Sequence, residues 1–325
     1  MEKTIRPTPG ACVVGVDVSR DNLDVGHSLS KQVVRYENTP SGFRKLAARM
    51  RPLHPELIVL EATGKYHQGL ARHLHEKGKF RVAIVNPTRV RHFARSVGLL
   101  AKTDALDARV LARYGEAVKP AVWEPREACV EELSELTIRR KQLVDLLTSE
   151  KNHLRTASSQ DAKESILKIV EYLQAEQKVL EVKIQKLIAG QEDLKRKAEL
   201  LQSMVGVGPA LASTILSSLP ELGKLDHKQV SALVGVAPLN RDSGTHQGTK
   251  RIFGGRGDVR RVLYMGAVSA CRTNPLIRDY YQRKIAEGRP QKVVLVACMH
   301  KMLIHLNAML RDGKAWDPTG GKPTP

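Results

Sequence analysis

Aromatic residues make up 4% of this chain, cysteines number four, and Asp plus Glu total 34 against 53 Lys plus Arg. Each scarcity excludes something. So few rings argue against recognition by stacking on many unpaired bases and leave phosphates and grooves as the surfaces to be gripped. Cys12, Cys129, Cys271 and Cys298 stand far apart, with no CxxC pair and no histidine at zinc-ligand spacing. Neither a structural zinc site nor a disulfide framework is therefore expected, and a reducing compartment fits. No run of about 18 apolar residues is read that would span a bilayer, and the N-terminal MEKTIRPTPG lacks the apolar stretch of a secretory leader. A soluble intracellular protein with no membrane partner is the expectation. The shortage of acids leaves a formal charge of +19, which points to a polyanionic partner, most simply nucleic acid.

At 325 residues the chain exceeds one ordinary core, so more than one domain is expected. Apolar runs and turn residues predict strands at Cys12–Val18, Leu23–Ser28, Val33–Glu37, Leu57–Glu61 and Val82–Val85. Helices are predicted from Ser41 to Arg51, Tyr66 to Glu76 and Thr103 to Tyr114. Three meandering strands followed by βαβ units describe a mixed sheet with helices on its faces. From 130 to 201 glycine and proline almost vanish and a heptad pattern takes over. Leu133, Leu136, Leu143, Leu147 and Leu154 keep a 3-4 spacing, broken by Arg140 and Glu150. Ile166, Val170, Leu173, Leu180, Ile184 and Leu187 resume it, broken by Gln177. A helical hairpin or coiled coil follows, with arms of roughly 35–40 Å at 1.5 Å per residue. Beyond Leu200 the pattern is mostly helical (Ala210–Leu219, Lys228–Val234, Val259–Cys271, Lys292–Leu310), with a polar break at Asn240–Asp258 and a tail from Gly313 expected to be loose.

Four carboxylates stand where such a sheet would gather them. Asp17 lies in the first strand (GVDVS), Glu61 closes a buried strand (LEATG), and Asp104 and Asp107 share one helical face at i, i+3 (KTDALDAR). Converging carboxylates repel one another unless divalent cations neutralise them, and hard oxygen donors suit Mg²⁺, with Mn²⁺ a possible substitute. Two such ions about 3.5–4 Å apart serve phosphoryl transfer. Ordinary roles stay open: Asp104 favouring the positive end of its helix, Asp107 pairing with Arg109. Asp17 is harder to explain that way, because an acid in an apolar strand costs several kcal/mol unless paired or on a metal.

In the second half, Gly206 and Gly208 (MVGVGPALASTIL) would let backbone N–H groups approach a phosphate at the start of a helix. A glycine turn between packed helices explains them equally well. The loop APLNRDSGTHQGTKRIFGGRGDVRR carries a lone Ser243 before Gly244, with Arg241, Lys250, Arg251, Arg256, Arg260 and Arg261 able to cradle phosphates. No His–Asp pair lies nearby, so a protease-like triad is unsupported.

The order GVDVSRDNLDV, LEATGKYHQGL, VNPTRVRHFARSVGLLAKTDALDAR, a coiled coil, MVGVGPALASTIL and LVGVAPLNRDSGTHQGTKR resembles the DEDD-type insertion-sequence transposases over residues 11–311. The resemblance implies an α/β plus all-α protein with a RuvC-like domain of ribonuclease H fold (11–125), a coiled-coil linker (126–200) and a helical transposase domain (201–312). Residues 313–325 form the tail. It implies that Asp17, Glu61, Asp104 and Asp107 are the DEDD tetrad, and that Ser243, in the matching P-x4-SG setting Pro238–Gly244, is a nucleophile. Attack on a phosphodiester would leave a covalent phosphoserine, conserving bond energy for rejoining. Double-stranded DNA at element ends and target is then the substrate, a structured non-coding bridge RNA the guide, and the cytoplasm the location, at the nucleoid when bound to DNA. A dimer assembling to a tetramer suits the number of strands to be cut. The competing readings are a metal-dependent Holliday-junction-type endonuclease that activates water, with Ser243 ordinary, and a non-catalytic protein bridging two DNA segments.

Overall fold

The computed structural model describes residues 12–30, 32–99, 104–239 and 251–318, and the chain divides into two compact units, Met1–Pro125 and Arg126–Pro325. In the first, apolar runs become strands β1 (Val13–Val18), β2 (Asn22–His27), β3 (Val33–Glu37), β4 (Leu57–Glu61) and β5 (Val82–Val85). Helices α1 (Pro40–Met50) and α2 (His67–Glu76) alternate with them, and α3 (Pro87–Ser96) and α4 (Asp104–Val118) close the unit. The sheet order is β3-β2-β1-β4-β5. Neighbours among β1, β2 and β3 are antiparallel, while β1–β4 and β4–β5 are parallel, giving the mixed sheet that the alternation of elements predicts.

Helices cover both faces, which is why the central strands read as unbroken apolar runs. Val14, Val16, Val18, Ile58 and Leu60 pack with Phe43 and Leu46 of α1 and Leu70 and Leu74 of α2. On the opposite face Val13, Leu57, Val59, Ala83 and Val85 meet Val90 of α3 and Val110, Leu111 and Tyr114 of α4.

Helix α3 corrects the sequence reading, which passed from β5 to a helix at Thr103 with nothing between. Asn86–Pro87 is a helix start and not merely a strand end: the Asn86 side chain accepts from the Thr88 N–H at 2.8 Å, and proline fills the first turn.

Glycines set the fit of α4 on the sheet. A Cβ on Gly15 would run into the Ala108 carbonyl and the Ala112 N–H, and one on Gly115 would strike Val13 and Val59. Gly15→Ala is therefore expected to destabilise this unit by about 1–3 kcal/mol or more, as overpacking does. Urea unfolding measures it, and an unchanged midpoint would show that α4 yields easily.

The second unit is helical: α5 (Ala128–Thr156), α6 (Gln160–Ala189), α7 (Glu192–Ser203), α8 (Pro209–Ser218), α9 (His227–Val234), α10 (Gly257–Thr273), α11 (Pro275–Ala286) and α12 (Gln291–Asp312). Two short strands, β6 (Pro238–Leu239) and β7 (Arg251–Ile252), interrupt it. Helices α5 and α6 form a hairpin whose middle is closed by Leu143, Leu147, Val170 and Leu173, while Leu133 and Ile184 join the main core with Leu201, Ile215, Leu263 and Met302. Two of the heptad breaks share one partner, Glu181. Arg140 donates to Glu181 Oε1 at 2.8 Å and Gln177 to the same oxygen at 2.9 Å. Burial alone would raise the Glu181 carboxyl, but the hydrogen bonds and charge of Gln177 and Arg140 bring it below its ordinary range. A polar group at one step of an apolar seam fixes register.

Three further points depart from the sequence reading. The stretch to residue 201 holds a third helix, α7, beyond the hairpin. Helix α12 is long and apolar enough by composition to cross a membrane, contrary to the expectation that no such run exists. Its Val294, Cys298, Met302, Leu303 and Leu306 are nevertheless buried in the core of this unit. The tail is not loose at its start: the Trp316 N–H donates to Ser203 Oγ at 2.8 Å, and its ring stands edge-on to His305 with centroids 4.8 Å apart. Burial, aided by the Lys301 charge, pushes the His305 imidazole down to about 4.

Candidate active site

Strand alternation decides which way Asp17 and Glu61 face. Val13 and Gly15 lie on the α4 side of β1, so Asp17, two residues on, lies there too. Leu57 and Val59 put Glu61 on the same side of β4. In the parallel register Val16 pairs with Leu60, so Asp17 and Glu61 end the neighbouring strands side by side, both half-buried. The Glu61 carboxylate accepts from Thr63 Oγ1 at 3.5 Å, and Gly64, at φ 52°, turns the chain away toward α2.

Helix α4 brings the third acid. Val110, Leu111 and Tyr114 are its sheet-facing stripe, and Asp107 precedes them at i−3, i−4 and i−7, on the same stripe. Since Ala108 sits over Gly15 and Gly26, Asp107 enters above the stretch of β1 that ends in Asp17. Asp104 opens the helix, one turn ahead on that stripe, and its side chain lies outside the described residues. The donors are all hard carboxylate oxygens, the set that Mg²⁺ takes. Among the described residues no three acidic, histidine or cysteine side chains are drawn close enough to hold an ion.

Two residues beside these escaped the sequence reading. Asp24 lies directly across from Asp17 in the β1–β2 ladder, buried, with both oxygens held by Arg35 at 2.9 and 3.0 Å. Only the strand register could have revealed it. His67, after the turn that follows Glu61, is 9% exposed, and its Nδ1 has no partner among the described residues. Burial lowers its pKa against the opposing hydrogen bond with the Thr63 backbone, leaving the ring neutral near pH 7.

In the second unit β6 and β7 pair antiparallel, Pro238 with Ile252 and Leu239 with Arg251. Between them in sequence lie Arg241, Ser243 and Lys250, all outside the described residues. The ground beneath the ladder is built from arginines expected to cradle phosphate. Arg256 clamps Glu221 through Nη1 and Nη2 at 2.5 and 2.6 Å and donates to the Ser218 carbonyl at 2.9 Å. Burial would raise the Glu221 carboxyl, but the bonds and charge of Arg256, with Arg126 nearby, hold it below the usual range. Arg260 donates to the carbonyls of Val234 and Gly254 at 3.1 and 2.5 Å, and Arg261 to Asp145 at 2.8 Å. These three guanidiniums hold the chain to itself; Arg251 is exposed. Gly206, at φ 104°, lies so close to Ala270 that a Cβ would collide, whereas Gly208, capping α8, has open space around it.

Comparison with known proteins places the chain. A DEDD transposase model of the IS110 type matches residues 14–159, and the transposase model of the IS116/IS110/IS902 family matches residues 198–282. The chain belongs to the IS110-type transposases. This transposase is 26% identical over 324 residues to the pilin gene-inverting protein of Moraxella bovis, covering 94% of this chain and 97% of that one. It is 33% identical over 128 residues to the uncharacterized 42 kDa protein of insertion element IS900 from Mycobacterium paratuberculosis, covering 38% of this chain and 32% of that one. Among solved structures, RuvC of T. thermophilus in complex with a Holliday junction matches 32% of this chain and 90% of its own at 14% identity, with a TM-score of 0.24, too low to decide anything. The family and the gene-inverting relatives make the transposase a DNA-recombining enzyme.

Proposed function

We propose that the transposase cuts and rejoins the DNA strands of its own insertion element through a phosphoserine on Ser243, with Mg²⁺ or Mn²⁺ held by Asp17, Glu61, Asp104 and Asp107. The observation that carries this reading is the convergence of β1, β4 and α4, which gathers Asp17, Glu61 and Asp107 on one side of the sheet. Bound there, divalent cations supply neutralisation of phosphate charge and Lewis acidity.

The chain's own residues do the rest. Ser243 Oγ forms a bond to phosphorus as the phosphorus–oxygen bond to the departing strand breaks. The hydroxyl proton passes to a carboxylate or water, and the departing oxygen takes one from solvent. Attack on the phosphoserine by the hydroxyl of an incoming strand releases the serine and rejoins DNA with no other energy source. Arg241, Lys250 and Arg251 grip phosphates around the serine, and the open Gly208 at the start of α8 offers backbone N–H groups to another. Residues 11–125 supply the carboxylates, 126–200 act as a coiled coil pairing subunits into dimers and then a tetramer, and 201–312 supply the serine. A structured guide RNA selects the sites in the cytoplasm, at the nucleoid. The charge of +19 and the nearly full-length match to gene-inverting relatives support a recombinase that handles nucleic acid throughout.

The test uses the full-length protein, guide RNA transcribed from beside the gene, and radiolabelled duplex carrying the element ends. Cleavage is expected only with Mg²⁺ or Mn²⁺, and part of the label should stay attached to protein through SDS. Metal-dependent cutting with no attached label would instead establish the water-activating endonuclease.

A further inference from the structure

Helix α3 carries Arg89, Arg91, His92 and Arg95, all exposed, and has no acidic residue of its own. Among the described residues no carboxylate is paired with any of the three arginines. We infer that this helix grips the phosphate backbone of the DNA strand delivered to the carboxylates, an assignment that rests on the function proposed above.

The position of the helix, not charge alone, supports this. Val90 is buried with Val85, Val110 and Leu111, and the Phe93 ring stands edge-on to Tyr114 at 5.5 Å. The apolar side of α3, Val90 buried with Phe93 and Ala94 half-buried beside it, thus packs on the α4 face of the sheet, the face that bears Asp17 and Glu61. Tyr114 and Asp107 lie two turns apart on one stripe of α4, about 10 Å along its axis. The chain enters α3 directly from β5, whose Val85 pairs with Glu61, so the basic helix begins at the end of the sheet where the acids gather. Its three guanidiniums fall within about 9 Å of helix axis. Arg91 and Arg95 stand one turn apart on one side of the helix and Arg89 on the other flank of its exposed surface, and because a duplex presents one negative charge per about 1.7 Å, the Arg91–Arg95 pair can meet neighbouring phosphates together. Because the acids act on the strand being cut, a cationic rail at their side favours DNA over the guide RNA as the occupant.

The experiment measures equilibrium binding of the full-length protein to duplex DNA over a range of salt, without divalent metal. With Arg89, Arg91 and Arg95 all changed to Gln, the slope of log affinity against log salt is expected to shrink by about 1 for each arginine in contact, so by about 2 from Arg91 and Arg95 and more where Arg89 also reaches the backbone. Arg95→Gln alone should lower it by about 1 and covers the case in which the triple variant fails to fold. A parental slope on DNA for Arg95→Gln and for a folded triple variant overturns the inference. A slope that falls for RNA but not for DNA also overturns it and assigns the helix to the guide. Lack of any cleavage by the unaltered protein would strike the proposed function instead, leaving the binding result to stand by itself.

Discussion

Ser243→Ala leaves labelled DNA uncut in Mg²⁺ and yields no SDS-stable protein–DNA adduct, while binding of duplex and metal stays at the parental level. The expectation follows from chemistry and from place. A phosphoserine has no other source in this mechanism, so removal of one oxygen ends the reaction rather than slowing it. The residue lies in the segment between β6 and β7, whose two-rung ladder has its footing elsewhere, in Arg256 on Glu221 and Arg260 on the Val234 and Gly254 carbonyls. Losing the hydroxyl should leave that footing and the melting temperature unchanged. Cutting at the normal rate by Ser243→Ala would discard the serine as nucleophile and restore the water-activating reading.

Asp17→Asn is the second change with a drastic expected effect: loss of cleavage by roughly a thousandfold or more, the rate equivalent of several kcal/mol of lost charge stabilisation at the phosphate. Stability should hold. Asp17 lies side by side with Glu61 and across from Asp24, and the amide keeps the carboxyl's shape, so the fold is expected to survive the change. Thermal unfolding and a cleavage time course on the same preparation separate the two effects. Parental activity would remove Asp17 from the tetrad. Because the tetrad and the serine belong to different units of the chain, mixing Asp17→Asn with Ser243→Ala protein is expected to restore part of the activity if subunits share sites.

Much of this was legible before any coordinates. The five strands were, because β1, β4 and β5 are short apolar runs and β2 and β3 follow β1 as a meander closed by turn residues, and parity along β1 and β4 already puts Asp17 and Glu61 on one face once the strands are neighbours. Helix α3 was not, because its four exposed basic positions hide the 3.6-residue period and leave only Val90, Phe93 and Ala94 as an apolar side. Its true signal was the Asn86 cap before Pro87. The role of Asp24 needed the register of β2 on β1. The fate of Arg256 was illegible because its partner, Glu221, is 35 residues away, and nothing in a basic loop distinguishes a guanidinium that faces a phosphate from one that clamps its own chain.

The seating of α4 on the sheet, with Gly15 and Gly26 on the strands and Gly115 on the helix, has a consequence for how this sequence can vary. Backbone meets backbone at Gly15, where side-chain repacking alone cannot make room for a methyl group, and at Gly115 the space is taken by the Val13 and Val59 methyls. In a library sorted only for soluble expression, replacements at these two glycines are expected to be purged, whereas replacements of Asp17 and Asp107, proposed above as metal-holding acids, are expected to survive more often. Sorting the same library for recombination removes both sets. The difference between the two sieves therefore separates the residues that shape the site from those that react in it.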